Sequence, residues 1–339
     1  MTRAYFDGKK VLVTGGLGFI GSCVVRTLLE ESTAEIQIID KLGVGSNLKS
    51  LSLHYGHRYK ISPLDLAWTD KVINTCLAFA PDIIIHLAAE SHVDRSISGP
   101  ATFVSSNVTG TFSILEAARR CYENSKGLRG SDFRFHHVST DEVFGSLESA
   151  GSFNEESPYN PNSPYSATKA ASDHLVRAWH HTYGLPVTIS NCSNNYGPWQ
   201  ADEKLIPTVI RSILNNEPVK LYGDGSNVRD WLYVQDHVDA ILACVELGSL
   251  GSTYCVGTRC EKANVDLVYD IFSIFKSLGS EYSTKAMSIS FIKDRAGHDF
   301  RYSIDPTKIE TELGWAPRFD YSAALTQTVN WYINYYGND

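Results

Sequence analysis

The segment Gly15-Gly16-Leu17-Gly18-Phe19-Ile20-Gly21 constrains this chain more than any other. A short apolar run, Lys10–Gly15, precedes it, and Phe19–Glu31 carries apolar residues at helical spacing. A strand that turns into a helix within so few residues needs backbone with little side chain in the way. Glycine permits the tight turn at Gly15, close approach of an anionic group at Gly18, and close helix–strand packing at Gly21. Phe19 and Ile20 open a helix whose free N–H groups and positive dipole end face the same place. A glycine string alone is weak evidence. Here the strand before it, the helix after it and an acid at the end of a second strand, Glu35–Asp40, agree.

The rest of the first half continues the alternation. Arg58–Asp65, Asp82–Ala88, Phe133–Thr140 and Pro186–Ser193 read as strands. Asp70–Phe79, Ala101–Cys121 and Pro164–Tyr183 read as helices. This order predicts an α/β, Rossmann-type doubly wound parallel sheet with helices on both faces. Ile83-Ile84-Ile85 fits a strand buried on both sides. After Asn191 the pattern loosens, with a turn at Tyr222-Gly223-Asp224-Gly225-Ser226 and helical periods at Val238–Leu247, Val265–Leu278 and Ala323–Tyr335. The length of 339 residues suits one large or two intimately joined domains. The expected division gives 1–190, with roughly 228–260, to a dinucleotide-binding domain. It gives roughly 191–227 and 261–339 to a smaller, interleaved α/β lobe for the substrate.

Composition excludes several classes. A net charge of −8 without a basic patch argues against nucleic acid as a partner. No apolar run is long enough to span a bilayer, and Met1–Lys10 is too polar for a secretory leader. The seven cysteines are scattered without a C-x-x-C pair, so reduced thiols and a cytoplasmic protein are expected. His136-His137 and His180-His181 are adjacent rather than one helical turn apart, so no metal site is expected.

Asp40 ends the second strand, where a carboxylate accepts hydrogen bonds from an adenosine ribose and repels a 2′-phosphate. NAD is therefore expected over NADP, although Lys41 beside it pulls the other way. Asp65-Leu66 follows the third strand and faces the adenine end, where Asp65 reads equally as a strand-end cap. Leu87-Ala88-Ala89-Glu90-Ser91 follows the fourth strand and lines the cleft at the carboxyl ends.

Tyr165 and Lys169 are four residues apart on a predicted helix and share a face. A phenol beside an ammonium can serve as a base. Lowering its pKa from about 10 to neutrality takes roughly 3 units, or about 4 kcal/mol favouring the phenolate. Ser139-Thr140 ends a predicted parallel strand just upstream, which strengthens the pairing.

With these motifs in view the chain resembles the extended short-chain dehydrogenase/reductases, and more closely the dTDP-glucose 4,6-dehydratases, over essentially its whole length. The resemblance is carried by Thr14–Gly21, Ala88–Ser96, Ser139–Gly145, Tyr165–Lys169, Asn194–Pro198, Glu203–Pro207 and Asp294–Asp299. Thr140-Asp141-Glu142 is the part particular to the dehydratases. It implies an NAD-dependent hydro-lyase. Tyr165 takes the C4 hydroxyl proton of the sugar as a hydride passes to NAD. Glu142 removes the C5 proton, and Asp141 protonates the departing C6 hydroxyl before the hydride returns to C6. For Asp141 to carry a proton at neutral pH its carboxyl should be desolvated. Thr140 would orient the C4 oxygen, and Lys169 would also hold the nicotinamide ribose.

The resemblance also places Ser91, Ser106 and Asn195 on the cofactor side. Ser91 and Asn194 meet the sugar. Lys204, Leu205, Lys220, Leu221, Tyr222, Arg229, Asn264, Arg295 and His298 meet the nucleotide and diphosphate, and guanidinium forks suit phosphate oxygens. It pairs the helices Ala101–Cys121 and Pro164–Tyr183 across a homodimer. There are departures. Phe144 stands where the family has tyrosine, Asp202 and Ala296 where it has proline, and Thr258-Arg259-Cys260 where it has Gly-His-Asn. Open alternatives are a nucleotide-sugar 4-epimerase or decarboxylase of the same fold, a 4,6-dehydratase for another nucleotide, and a non-catalytic NAD sensor.

Overall fold

The computed structural model describes residues 3–54, 58–125, 132–279, 282 and 284–337. Strand β1 (Lys10–Thr14) leads through the glycine turn into helix α1 (Phe19–Glu31), then β2 (Glu35–Asp40) and β3 (Tyr59–Pro63). Helix α2 (Thr69–Phe79), β4 (Ile83–His86), α3 (Val93–Ser98), α4 (Pro100–Phe103) and α5 (Gly110–Ser125) follow. Next come β5 (Arg134–Thr140), α6 (Pro164–Tyr183), β6 (Val187–Cys192) and β7 (Asn194–Tyr196). The later part holds α7 (Leu205–Asn215), β8 (Val219–Tyr222), β9 (Val228–Tyr233), α8 (Val234–Glu246) and β10 (Thr253–Val256). It closes with β11 (Glu261–Ala263), α9 (Asn264–Ser277), β12 (Ile289–Ile292), α10 (Thr307–Leu313) and α11 (Tyr321–Gly337).

Seven strands form one parallel sheet in the order β10-β6-β5-β4-β1-β2-β3. Alternate residues of its central strands go to opposite faces, as the pleat requires. Val11, Val13, Ile36, Ile38, Ile83 and Ile85 join a core with α1 and α8, whereas Leu12, Ile39 and Ile84 join one with α2, α5 and α6. Both faces are buried, so β1 and β4 read as near-continuous apolar runs. The chain turns back on opposite sides of β1 and β4, and ligands of such sheets sit in that crevice.

A second sheet, β11-β9-β7, and a β12-β8 pair make the smaller layer over the carboxyl ends. The segment 228–260 is shared: β9 pairs in the small sheet, while β10 completes the large one. Helix α7 was not legible in the loosened pattern after Asn191.

The long helix expected over Ala101–Cys121 is present, and it widens within its length. A wide π turn, Val104–Thr109, joins α4 to α5. Asn107 explains the wide turn. Its buried side chain bonds the backbone of Glu90 in both directions and donates to Thr168, and its carbonyl accepts from the hydroxyls of Thr111 and Ser172. These tertiary bonds outweigh one regular helical turn. Helix α6 is set by local sequence: Ser163 and Ser166 form a reciprocal cap, Pro164 opens the helix, and Gly184 ends it in the left-handed conformation. All seven cysteines are free, and among the described residues no helix is long and apolar enough to cross a membrane.

Candidate active site

The glycine turn lies at the β1/β4 crevice and is shaped for a group that needs bare backbone. Gly15 has φ of +69°, and a Cβ there would stand 2.9 Å from the Ala88 backbone. A Cβ on Gly21 would stand 2.1 Å from the Gly15 carbonyl oxygen. Gly18 caps α1 without a side-chain hydrogen bond, so the first-turn N–H groups face the crevice unblocked. Leu87 and Ala88 are held to β1 by hydrogen bonds to Thr14, and Ala89 is half-buried next to them.

Asp40 ends β2 and accepts from Leu17 N, Leu42 N and Ser46 Oγ. Lys41 turns away from it: its ammonium lies 2.5 Å from Glu90 and donates to Ser106 at 2.8 Å. That pairing leaves the Asp40 charge to oppose a 2′-phosphate. Asp65 caps its own turn, accepting from Ala67 N, and Leu66 is buried against Gly110.

Thr140 is the last residue of β5, and Asp141-Glu142-Val143-Phe144 forms a single tight helical turn after it. The Thr140 hydroxyl caps that turn at Glu142 N and donates to Asp141 Oδ1 at 3.1 Å. Asp141 is buried, and its Oδ2 has no hydrogen-bond partner. Burial, then the neighbouring Glu142 charge, pushes the Asp141 carboxyl well above the usual carboxylate range. Burial also raises Glu142, but Arg295, Arg229 and Lys204 oppose it. Two adjacent carboxyls thus meet different fields, the pattern that separates an acid from a base.

Tyr165 is buried on α6. Burial and the Glu142 charge push its phenol well above the ordinary value, and only a hydrogen bond with Thr140 opposes them among the leading causes. Lys169 is not among the leading influences on that phenol; its ammonium donates to the Val138 carbonyl at 2.8 Å.

The residues expected at the nucleotide and diphosphate differ in how far the protein already occupies them. Asn194 Oδ1 and Arg295 Nε are buried without partners. Arg295 lies 3.9 Å from Asp94, which also accepts from Tyr222 at 3.3 Å. Lys204 donates to the Ser91 carbonyl across the cleft, next to Leu205 at the start of α7. Arg229 is less free than expected. It donates to the carbonyls of Val228, Asp299 and Phe300, lies over Tyr302, and stands 3.1 Å from His298 Nε2. His298 Nδ1 is 2.6 Å from Asp294. Asn195 bonds His237 and the Ser193 carbonyl. Leu221 is buried in the core, Lys220 is exposed beside it, and Asn264 opens α9. Phe144 stacks on Phe153 in an apolar cluster, which accommodates the loss of a hydroxyl there.

Asp173 and Asn107, which tie this site together, lie outside the sequence motifs; the one signal for Asp173 is its place on the Tyr165–Lys169 stripe of α6.

A glycine cradle at a sheet switch point, with Thr140, Tyr165 and Lys169 gathered at the end of β5, defines an extended short-chain dehydrogenase/reductase. A family described as GDP-mannose 4,6 dehydratase matches residues 12–328. A probable dTDP-glucose 4,6-dehydratase from Sinorhizobium fredii is 50% identical over 325 residues, covering 96% of this chain and 93% of the relative. The dTDP-glucose 4,6-dehydratase of Salmonella typhimurium is 44% identical over 334 residues, covering 96% and 92%. The crystal structure of DesIV, a dTDP-glucose 4,6-dehydratase from Streptomyces venezuelae with NAD bound, superposes with a TM-score of 0.87 at 40% identity, covering 97% of this chain and 98% of that one. The chain belongs to the dTDP-glucose 4,6-dehydratases of the NAD-dependent epimerase/dehydratase family.

Proposed function

We propose that the chain converts dTDP-glucose to dTDP-4-keto-6-deoxyglucose and water, with NAD held at the Gly15–Gly21 turn. The observation that carries the dehydration is the contrast between Asp141 and Glu142. Bound NAD supplies a reversible oxidant, taking a hydride from C4 of the sugar and giving it back at C6. Tyr165 removes the C4 hydroxyl proton, with the Thr140 hydroxyl hydrogen-bonded to its phenol. The resulting ketone acidifies C5, and Glu142, steadied by Arg295, Arg229 and Lys204, takes that proton. Asp141, kept protonated by burial, hands its proton to the leaving C6 hydroxyl. C5 is then reprotonated, so the proton gained by Tyr165 balances the one Asp141 released.

Asn194 and Arg295 are the groups we assign to the substrate, because their buried polar atoms lack protein partners. A 4-epimerase needs a base at one hydroxyl and has no use for both carboxyls. We also propose a cytoplasmic homodimer joined through α5 and α6, where Phe112 and Tyr183 are exposed.

Incubation with dTDP-glucose and no added NAD tests the activity. The expected product is the 4-keto-6-deoxy sugar nucleotide; a C4 epimer alone would overturn the reading. Substrate labelled with deuterium at C4 should carry the label to C6.

A further inference from the structure

Tyr165, Lys169 and Asp173 recur every fourth residue on α6, so one stripe carries a phenol, an ammonium and a carboxylate into the same buried layer. Asp173 Oδ1 lies 3.1 Å from His137 Nε2. Its Oδ2 accepts from Ser139 Oγ at 2.9 Å, the Tyr159 hydroxyl at 2.7 Å and Asn191 Nδ2 at 3.2 Å. Partners from β5, β6 and the segment before α6 therefore converge on one carboxylate. A buried carboxyl without them would take up a proton. Here burial is outweighed by His137, Lys169 and Tyr159, and the group stays below the usual carboxylate range.

The ammonium of Lys169 is anchored to the Val138 carbonyl, one residue before Ser139 on β5. Burial disfavours its charge, and Asp173 is the first group that opposes this. The other groups facing it are His137 of β5, His86 of β4 and Cys192 of β6. Burial keeps both imidazoles neutral, His137 falling to about 4, and keeps the Cys192 thiol protonated. Toward Asp173 the remaining facing groups are Tyr159 and Arg177, the latter donating to the Tyr159 hydroxyl. Near neutrality, then, Asp173 is the charged group whose field reaches Lys169 from within its own layer.

We propose that Asp173 is a positioning residue for the reaction: its carboxylate, fixed by His137, Ser139, Tyr159 and Asn191 one helical turn from Lys169 in the same buried layer, acts through Lys169 on Tyr165. This rests on reading Tyr165 and Lys169 as the pair that handles the C4 proton. An amide in place of the carboxylate removes the charge while keeping the shape.

The test compares Asp173→Asn, Lys169→Met and the double variant as NAD-loaded enzymes, with kcat measured against pH. Lys169→Met should lose about 100-fold or more. Asp173→Asn should lose activity increasingly as pH rises, with a deficit about tenfold larger at pH 9 than at pH 7, because Lys169 then releases its proton earlier. The double variant should match Lys169→Met alone, since Asp173 has no route except through Lys169. A deficit equal at every pH, or a double variant much slower than Lys169→Met, overturns the proposal. Lys169→Met with wild-type activity overturns instead the reading beneath it. A measurement on the unaltered protein stands apart from any folding defect: with 15N-labelled lysine, Lys169 should give an ammonium signal at pH 8, and a neutral amine there overturns the proposal.

Discussion

Asp141 and Glu142 are neighbours in the chain and opposites in surroundings. Asp141 is sealed beneath Thr140 with one oxygen unpartnered, while Glu142 faces the cations Arg229, Arg295 and Lys204. The turn that begins at Thr140 causes the divergence, because successive side chains on a tight helical turn point about a third of a revolution apart.

Asp141→Asn should lower kcat by about 10² to 10⁴-fold, since the amide has no proton to give. It should also stabilise the protein. The folded Asp141 carboxyl lies above its ordinary value of 3.8, so its contribution to stability is complete below that value and is lost as pH rises through the folded one. Thermal melts should therefore show the variant gaining on the parent from about pH 4 upward. A gap that does not widen with pH would count against a raised carboxyl.

Glu142→Gln should stop the reaction after oxidation at C4. Adding substrate should build up reduced nicotinamide absorbance on the enzyme, while the 4-keto-6-deoxy product falls by about 10² to 10⁴-fold. Unchanged product formation would remove Glu142 from the C5 proton transfer.

Gly21→Ala should abolish cofactor retention, because the new Cβ meets the Gly15 carbonyl at 2.1 Å and cannot move off backbone. Mass spectrometry of the denatured variant should release little or no NAD compared with the parent.

The two arginines should fail differently. Arg295 has an unpartnered buried Nε, so Arg295→Ala should raise KM for the sugar nucleotide by about 10- to 100-fold, with a smaller change in kcat. Arg229 is bound to three backbone carbonyls, so Arg229→Ala should cost about 3 kcal/mol of stability, seen as a lower Tm. Equal KM effects without a Tm difference would contradict this division.

The local order of the chain was largely legible because short-range rules govern it. The alternating apolar runs place β1, α1, β2 and α6 within a residue of where they lie, and the Ser163–Ser166 cap and the glycine turn act over only a few positions. The motif residues Thr140, Asp141, Glu142, Tyr165 and Lys169 were likewise visible as types at fixed spacings. What required tertiary structure was set by partners far along the chain. Asn107 widens its helix because Glu90 and Thr168 hold it, and Arg229 is turned inward by carbonyls about 70 residues away. The Lys169 ammonium goes to Val138 rather than to the phenol, and Asp173 becomes a hub only when β5 and β6 bring it His137, Ser139 and Asn191. Charge states follow the same division. A sequence shows that a carboxyl or a phenol is present, but desolvation and the field of distant groups decide whether it carries a proton, and both exist only after the chain has packed.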